Sequence, residues 1–159
     1  MLVQDFSVVD RPFEDIARCL DVSGGPDALL SSALLGARAE GENLRAKVGP
    51  EGWPAVLSKT VLIRSGPPRR HGDSLIVPFC WSASDGPSLF PRLDADLEIA
   101  PFGPRQTQLV IRARYEAPGG AIGRAVDRVL LHRLAESTLR AFLNGICAIV
   151  QRSTADHAA

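Results

Sequence analysis

The segment LDADLEI, residues 93–99, decides the fold, because its side chains alternate strictly between apolar and acidic. This period of two is typical of a β-strand with one buried face and one face in water. The segment LVIRARY, residues 109–115, alternates in the same way, with arginines at 112 and 114. Together the two segments predict an antiparallel hairpin with an apolar inner face and an ionic outer face.

The charges of this hairpin also predict its register. A turn through PFGP, residues 101–104, would place Asp96 opposite Arg112 and Asp94 opposite Arg114. Opposite charges across an antiparallel pair contribute roughly 0.2–1 kcal/mol each. We therefore interpret these ions as a solvated face that fixes the register, and not as catalytic carboxylates.

The same alternation predicts four more strands upstream. In residues 75–81 the large apolar side chains Leu75, Val77, Phe79 and Trp81 share one face. Shorter strands are predicted at 42–48 and 56–64, and a turn over 66–73. At the N-terminus, Leu2, Phe6 and Val8 alternate with Asp5 and Ser7, which predicts a half-buried first strand. The sequence thus contains six predicted strands.

Helical spacing predicts two short helices after the first strand and one long helix at the end. The first helix follows Pro12 and uses Phe13, Ile16, Ala17 and Leu20, and the second would be capped by Asp27 and buried through Leu30, Leu34 and Leu35. A helix of some 30 residues follows Gly120, with Glu136 and Arg140 as a favourable i,i+4 pair. Its predicted buried stripe is Leu131, Ala135, Thr138, Phe142, Ile146 and Ile149.

Length and composition predict one ordered domain. The chain has 159 residues, of which 45% are hydrophobic and 23% charged, as in ordinary globular proteins. We expect a single domain over 1–152 and a disordered tail over 153–159. The formal net charge is zero, which disfavours nucleic-acid binding. Three distant cysteines, an acidic N-terminus and the lack of a long apolar span favour a cytoplasmic protein without a transmembrane segment.

The sequence motifs point to no particular reaction. GGAIG, residues 119–123, follows a strand and opens a helix, but no βαβ unit surrounds it, so it predicts a turn and not a nucleotide site. His71, His132 and His157 have no metal-ligand spacing with each other or with the cysteines. No nucleophile elbow occurs. We therefore predict no catalytic residues, no metal and no cofactor.

The chain resembles the polyketide cyclase and START-like (SRPBCC) superfamily. The resemblance rests on the order of strand, two helices, antiparallel strands and terminal helix, and on the stretch from Leu89 to Gly145. In that stretch YEAPGG, residues 115–120, ends the last strand, and IGRA, residues 122–125, leads into the helix. The resemblance implies an α+β helix-grip fold, in which a curved antiparallel sheet of six or seven strands wraps a long C-terminal helix. It also implies an apolar pocket between sheet and helix.

The predicted function is the binding or transport of an apolar or polycyclic small molecule or lipid in that pocket. Tyr115 and Thr138 are the predicted polar anchors, because a buried hydroxyl requires a hydrogen-bond partner that a ligand could supply. Two alternatives stay open: a cyclase or dehydratase-like enzyme using the same pocket, and a protein-interaction module with a solid core. Self-association as a homodimer is also left open. The predicted pocket residues are Val77, Phe79, Trp81, Leu93, Ala95, Leu97, Ile111, Ala113, Tyr115, Leu131, Leu134, Thr138 and Phe142.

Overall fold

The computed structural model describes residues 2–22, 25–35, 61–83, 92–116 and 128–152. Within them, an antiparallel sheet is covered by three helices. The strands are β1 (Leu2–Val9), β2 (Val61–Ser65), β3 (Arg69–His71), β4 (Ser74–Ala83), β5 (Arg92–Pro101) and β6 (Thr107–Glu116). The helices are α1 (Phe13–Val22), α2 (26–35) and α3 (Arg128–Arg152). The predicted strand at 42–48 and the GGAIG segment lie outside the described residues.

The sheet order is β1-β6-β5-β4-β2, with β3 paired to β4 beside β2. All pairs are antiparallel. The long helix α3 packs against β1 and β6, so the sheet and the terminal helix enclose one apolar core. This arrangement is the α+β helix-grip fold, and the predicted fold class is confirmed.

The register of the β5–β6 hairpin is the one that the charges predicted. Asp94 lies opposite Arg114, and Asp96 lies opposite Arg112. Gly103, with φ of 99°, supplies the left-handed residue at the turn, a conformation that costs glycine little. The ion pairs are shifted by one row, however: the Arg112 guanidinium contacts Glu98. Asp96 instead lies 4.0 Å from Arg69 on β3.

The predicted turn over 66–73 contains a short strand. Arg69–His71 pairs with Ile76–Ser74 of β4, and Gly72, with φ of 59°, makes the tight turn between them. Pro67 and Pro68 cannot donate hydrogen bonds to a sheet, so pairing starts only after them. The predicted strand at 56–64 has its described part in β2, whose last residue is Ser65.

The buried face of β1 is opposite to the predicted one. Val3 and Val9 are buried, whereas Leu2, Phe6 and Val8 are exposed. Pairing with β6 decides this, because Val3 lies beside the inward-facing Ala113 and must point to the same side. Asp5 and Ser7 consequently face α3, where Asp5 accepts a hydrogen bond from Arg140 at 3.2 Å.

The two short helices pack as predicted, with two corrections in α2. Phe13, Ile16, Ala17 and Leu20 of α1 are buried, as are Leu30 and Leu34 of α2. Leu35 is exposed, and Ala33 takes the buried position instead. Asp27 lies inside the first turn of α2, and its Oδ1 accepts a hydrogen bond from the backbone N–H of Ser65 at 2.7 Å. Asp27 therefore ties α2 to β2.

The buried stripe of α3 is rotated from the predicted one. Phe142 and Ile146 are buried as predicted, but Thr138 and Ile149 are only half-buried. The rotation follows from a second neighbour: a Cβ at Gly145 would lie 3.2 Å from the Cα of Ala33, so α3 touches α2 as well as the sheet. Glu136 contacts His132 and Arg140 contacts Asp5, so the predicted Glu136–Arg140 pair does not form. The remaining buried residues of the stripe are Leu139, Leu143, Cys147 and Val150.

Candidate ligand site

The inner face of the sheet has a closed end, where side chains from three strands are fully buried. One row across the sheet contains Val77, Leu97 and Ile111, each with no exposed surface. The next row contains Ile99 and Leu109, which are buried almost as completely, and Leu75 at the β4 edge, which is half-buried. Here α3 follows β1, and the Arg11 guanidinium donates a hydrogen bond at 3.0 Å to the carbonyl oxygen of Gln151. The centre of this end is therefore packed without exposed surface.

The opposite end of the inner face, which we call the aromatic end, contains Phe79, Trp81, Leu93 and Ala95. Trp81 and Leu93 form its last row, together with the backbone of Tyr115. Each of these side chains keeps a small exposed fraction, 6% for Trp81 and 9% for Ala95, compared with none for Val77, Leu97 and Ile111. Compared with the row of Val77, this end therefore keeps a little solvent contact, and so does Leu75 at the β4 edge of the closed end, which is half-buried.

Phe142 of α3 covers the aromatic end. Its ring centroid is 5.5 Å from that of Phe79 and 5.5 Å from that of Trp81, and it meets the Trp81 ring nearly edge-on at 87°. Phe79 and Trp81 are themselves 6.3 Å apart. Tilted and edge-on contacts of this kind are the favoured aromatic geometry. The three rings form one apolar cluster that joins sheet and helix.

The structure brings most of the predicted pocket residues together on this inner face. Thr138 lies half-buried on α3. Tyr115 lies in β6, and Leu131 and Leu134 lie in α3, but their side chains are outside the described residues. That this set lines a ligand pocket stays a prediction. The residues found buried together are Val77, Phe79, Trp81, Leu93, Ala95, Leu97, Ile111, Ala113 and Phe142.

One thiol lies at the border between α3 and β1. Burial raises the pKa of the Cys147 thiol, and a hydrogen bond with the Ser7 side chain opposes this shift. A raised pKa keeps the thiol protonated and unreactive near neutral pH. Cys147 is therefore a packing residue and not a nucleophile.

Sequence reasoning missed a concavity on the other face of the sheet. It has a volume of about 520 Å³ and crosses β6, β5, β4 and β2. Its lining includes Arg64, Cys80, Asp94 and Arg114, which belong to the solvated ionic face. The alternating charges were the available signal, but they were interpreted only as a device for register.

Within the described ranges, no three His, Cys, Asp or Glu side chains are grouped so that they could hold a metal ion. The helices found there are all too short or too polar to cross a membrane.

Comparison with known proteins supports the fold. No protein-family model matches the chain, and no curated protein matches its sequence. A conserved protein from Geobacillus kaustophilus has a similar solved structure, with a TM-score of 0.56, 11% identity, and 96% of this chain and 97% of that chain covered. The Zhui aromatase/cyclase from Streptomyces sp. R1128 has a TM-score of 0.48 and 11% identity, over 96% of this chain and 94% of that chain.

The fold class follows from the topology and from the whole-chain likeness to the Geobacillus kaustophilus protein. The chain has the helix-grip fold that its resemblance to the polyketide cyclase and START-like superfamily implied. At these identities the likeness shows the fold alone, and a shared fold does not fix a reaction.

Proposed function

We propose that the protein binds an apolar small molecule at the aromatic end of the inner face, between β4, β5 and α3. The observation that carries this proposal is the difference in burial along one sheet face. Phe79, Trp81 and Ala95 keep 4–9% of their surface exposed, whereas Val77 and Leu97 in the neighbouring row have none exposed. Apolar concave surfaces with a few polar groups are the usual sites for small molecules.

The sizes of the side chains also favour a site there. Ala95 lies directly opposite Ala113, so two methyl groups occupy the centre of the row that begins with Phe79. In the neighbouring closed row the same places hold Leu97 and Ile111. The small pair takes up less volume beside the three aromatic rings than Leu97 and Ile111 take up in the closed row. A flat apolar or polycyclic ligand would stack on those rings and use that volume.

The chemistry of this end favours binding over catalysis. The side chains described there are hydrocarbon or indole, and the ionic groups of β5 and β6 point to the opposite face. A ligand would gain roughly 25 cal/mol for each Å² of apolar surface that it buries. Tyr115 and Thr138 are the proposed hydrogen-bonding anchors, which would orient one polar group of the ligand.

A fluorescent probe tests the site directly. The chain has two tryptophans, so a Trp53→Phe variant leaves Trp81 as the single donor for energy transfer to 8-anilino-1-naphthalenesulfonate. In the folded protein, we expect energy transfer from Trp81 to the probe to reach a plateau as the probe concentration rises. Native mass spectrometry after mixing with a lipid extract should then find a bound apolar compound. No transfer and no bound compound would contradict the proposal.

A pair of alanine substitutions separates a pocket from a solid core. Ala95→Leu should abolish probe binding and cost less than about 1 kcal/mol of stability, because the added atoms enter ligand space. In a solid core the same change costs about 1–3 kcal/mol. Ala100→Leu, on the opposite face of the same strand, is the control and should leave binding unchanged. A large loss of stability in Ala95→Leu without probe binding would favour the solid-core alternative.

The anchors have their own test. Tyr115→Phe and Thr138→Val each remove a hydroxyl group and should weaken ligand binding about fivefold, the effect of one hydrogen bond of about 1 kcal/mol. If instead a turnover were found that depends on pH and disappears in Tyr115→Phe with binding intact, the enzyme alternative would replace this proposal.

A further inference from the structure

On the outer face of the sheet, the outward-facing side chains of each strand form a column along that strand. The columns differ in charge and polarity from one strand to the next. The column on β1 contains two exposed apolar side chains, Leu2 and Phe6, which are 69% and 63% exposed, with the polar Gln4 between them. The column on β6 is positive, through Arg112 and Arg114. We call this surface of β1, β6, β5 and β4 the outer face.

The other two columns complete the order. The column on β5 is negative, through Asp94 and Asp96, and the column on β4 is uncharged, through Ile76, Pro78 and Cys80. Across the sheet the sequence is therefore apolar, positive, negative, uncharged. Neighbouring residues of these columns lie on common rows, and Leu2, Arg114, Asp94 and Cys80 share one row.

We propose that the outer face binds a second copy of this chain, face to face, about a two-fold axis that runs parallel to the strands between β5 and β6. Such an axis places β6 of one copy over β5 of the other, and β1 over β4. Rotation about this axis does not move a residue along the strand direction. Each residue therefore faces a residue of the same row in the second copy. Two-fold interfaces of this kind are self-complementary, and every contact occurs twice.

Charge complementarity is the argument for this partner. Arg112 and Asp96, which also contact Glu98 and Arg69 within their own chain, would face each other across the axis, and Arg114 would face Asp94 of the second copy. Arg114 makes no hydrogen bond or ion pair with any other residue in the described part of the chain, so its charge is available to a partner. Both pairs lie next to the two-fold axis. Packed sheets are rotated by about 30° relative to each other, and this rotation displaces residues near the axis less than residues at the sheet edges.

The apolar columns match in the same arrangement. Leu2 would face Cys80 and Phe6 would face Ile76, because each pair shares a row. The concavity of about 520 Å³ extends beside Pro78 and Cys80 and could receive the exposed Leu2 side chain of the second copy. Burying Leu2 and Phe6 removes two large exposed apolar side chains in each copy.

The size of the outer face predicts a weak dimer. Four strands at about 4.8 Å spacing and some seven residues in length give a contact area on the order of 400 Å² per copy. A standard stable interface buries about 800 Å² per partner. We therefore expect a dissociation constant on the order of tens of micromolar, which rises as salt screens the charges.

Charge reversal tests the proposal in sedimentation experiments between about 5 and 500 µM at low salt. Arg114→Asp should raise the dissociation constant at least tenfold, and adding Asp94→Arg in the same chain should restore it. Arg105→Asp, an equal charge change in the turn after β5, is the control and should have little effect. Circular dichroism checks that each variant is folded. A chain that stays monomeric at 500 µM, or a double variant that does not recover, would overturn the proposal.

Cross-linking tests the geometry independently. In a Cys19→Ser background, Leu2→Cys should form a disulfide-linked dimer through Cys80 when a thiol oxidant is added. Within one chain these residues lie three strands apart, about 14 Å, which is too far for a disulfide. Cys80→Ser should abolish the cross-link, and Phe102→Cys, a similarly exposed site, should not form it. Equal cross-linking from Phe102→Cys would show random collision and contradict the arrangement.

Discussion

The closed end and the aromatic end of the inner face are built from the same three strands, yet they differ in side-chain size and burial. At the closed end, branched residues such as Leu97 and Ile111 meet across β5 and β6 with no exposed surface. At the aromatic end, Ala95 meets Ala113 beside the Phe79 ring, and Ala95 keeps 9% of its surface exposed. The comparison teaches that one continuous strand pattern can form a sealed core at one end and a candidate binding surface at the other.

A matched pair of leucine truncations on β5 should show the largest difference. Leu97→Ala at the closed end should lower the free energy of unfolding by about 3–5 kcal/mol, because it leaves a cavity that packed neighbours cannot fill. Leu93→Ala at the aromatic end should cost about 2 kcal/mol, because its site is already partly open. Urea denaturation measures both. Equal losses would mean that the two ends are packed alike.

The contact between α2 and α3 provides a smaller test of the packed side. A Cβ added at Gly145 would lie 3.2 Å from both the Cα and the carbonyl oxygen of Ala33. Backbone atoms of a neighbouring helix cannot move far to make room for a methyl group. Gly145→Ala should therefore cost about 1 kcal/mol of stability, although the higher helix propensity of alanine contributes a similar amount in the opposite direction. Asn144→Ala, at the exposed neighbouring position, should be neutral or slightly stabilising in thermal unfolding. A stabilised Gly145→Ala would show that the helices can move apart.

The two described cysteines should differ in their reactivity towards a thiol reagent. Of the tests proposed for the molecule, this one involves the smallest change in stability. Cys80 is half-exposed on the outer face and should react quickly with a thiol reagent, whereas buried Cys147 should react only as the protein unfolds. Because burial raises the pKa of Cys147 in the folded state, the unfolded thiol ionises first.

The sign of the pH dependence follows from this order. The contribution of Cys147 to stability is constant at pH values well below the ordinary pKa of a thiol and declines as the pH rises through that pKa. Cys147→Ala should remove this contribution to the alkaline decline and lower the rest of the profile by a constant amount, because packing contacts are lost. Equally fast labelling of both thiols would contradict the burial of Cys147.

Strong local patterns were enough to predict the central hairpin. The alternation, strict in β5 and broken in β6 only by Val110, predicted the buried face. The charges predicted the register, because both features depend only on neighbours within two strands. The prediction for β1 was wrong for the same reason: its own pattern is mixed, and pairing with β6 decides which side is buried. The short strand β3 was missed because three residues between prolines and a glycine carry no pattern of their own.

The candidate site was predictable only in part. Alternation identified Phe79, Trp81 and Ala95 as inward-facing, but it could not show that they keep solvent contact while Val77 and Leu97 do not. The rotated stripe of α3 likewise depends on the contact between α3 and α2 at Gly145. The spacing of apolar residues within α3 gives no information about that contact.

The sequence alone determined the α+β class, the hairpin register and the separation of apolar from ionic faces, because these follow from side-chain periodicity within a segment. Only the tertiary structure decided which face of β1 is buried, which residues of α3 meet the sheet, and where along the inner face packing is incomplete. Those features depend on how distant segments share volume, and volume is filled by neighbours in space rather than by neighbours along the chain.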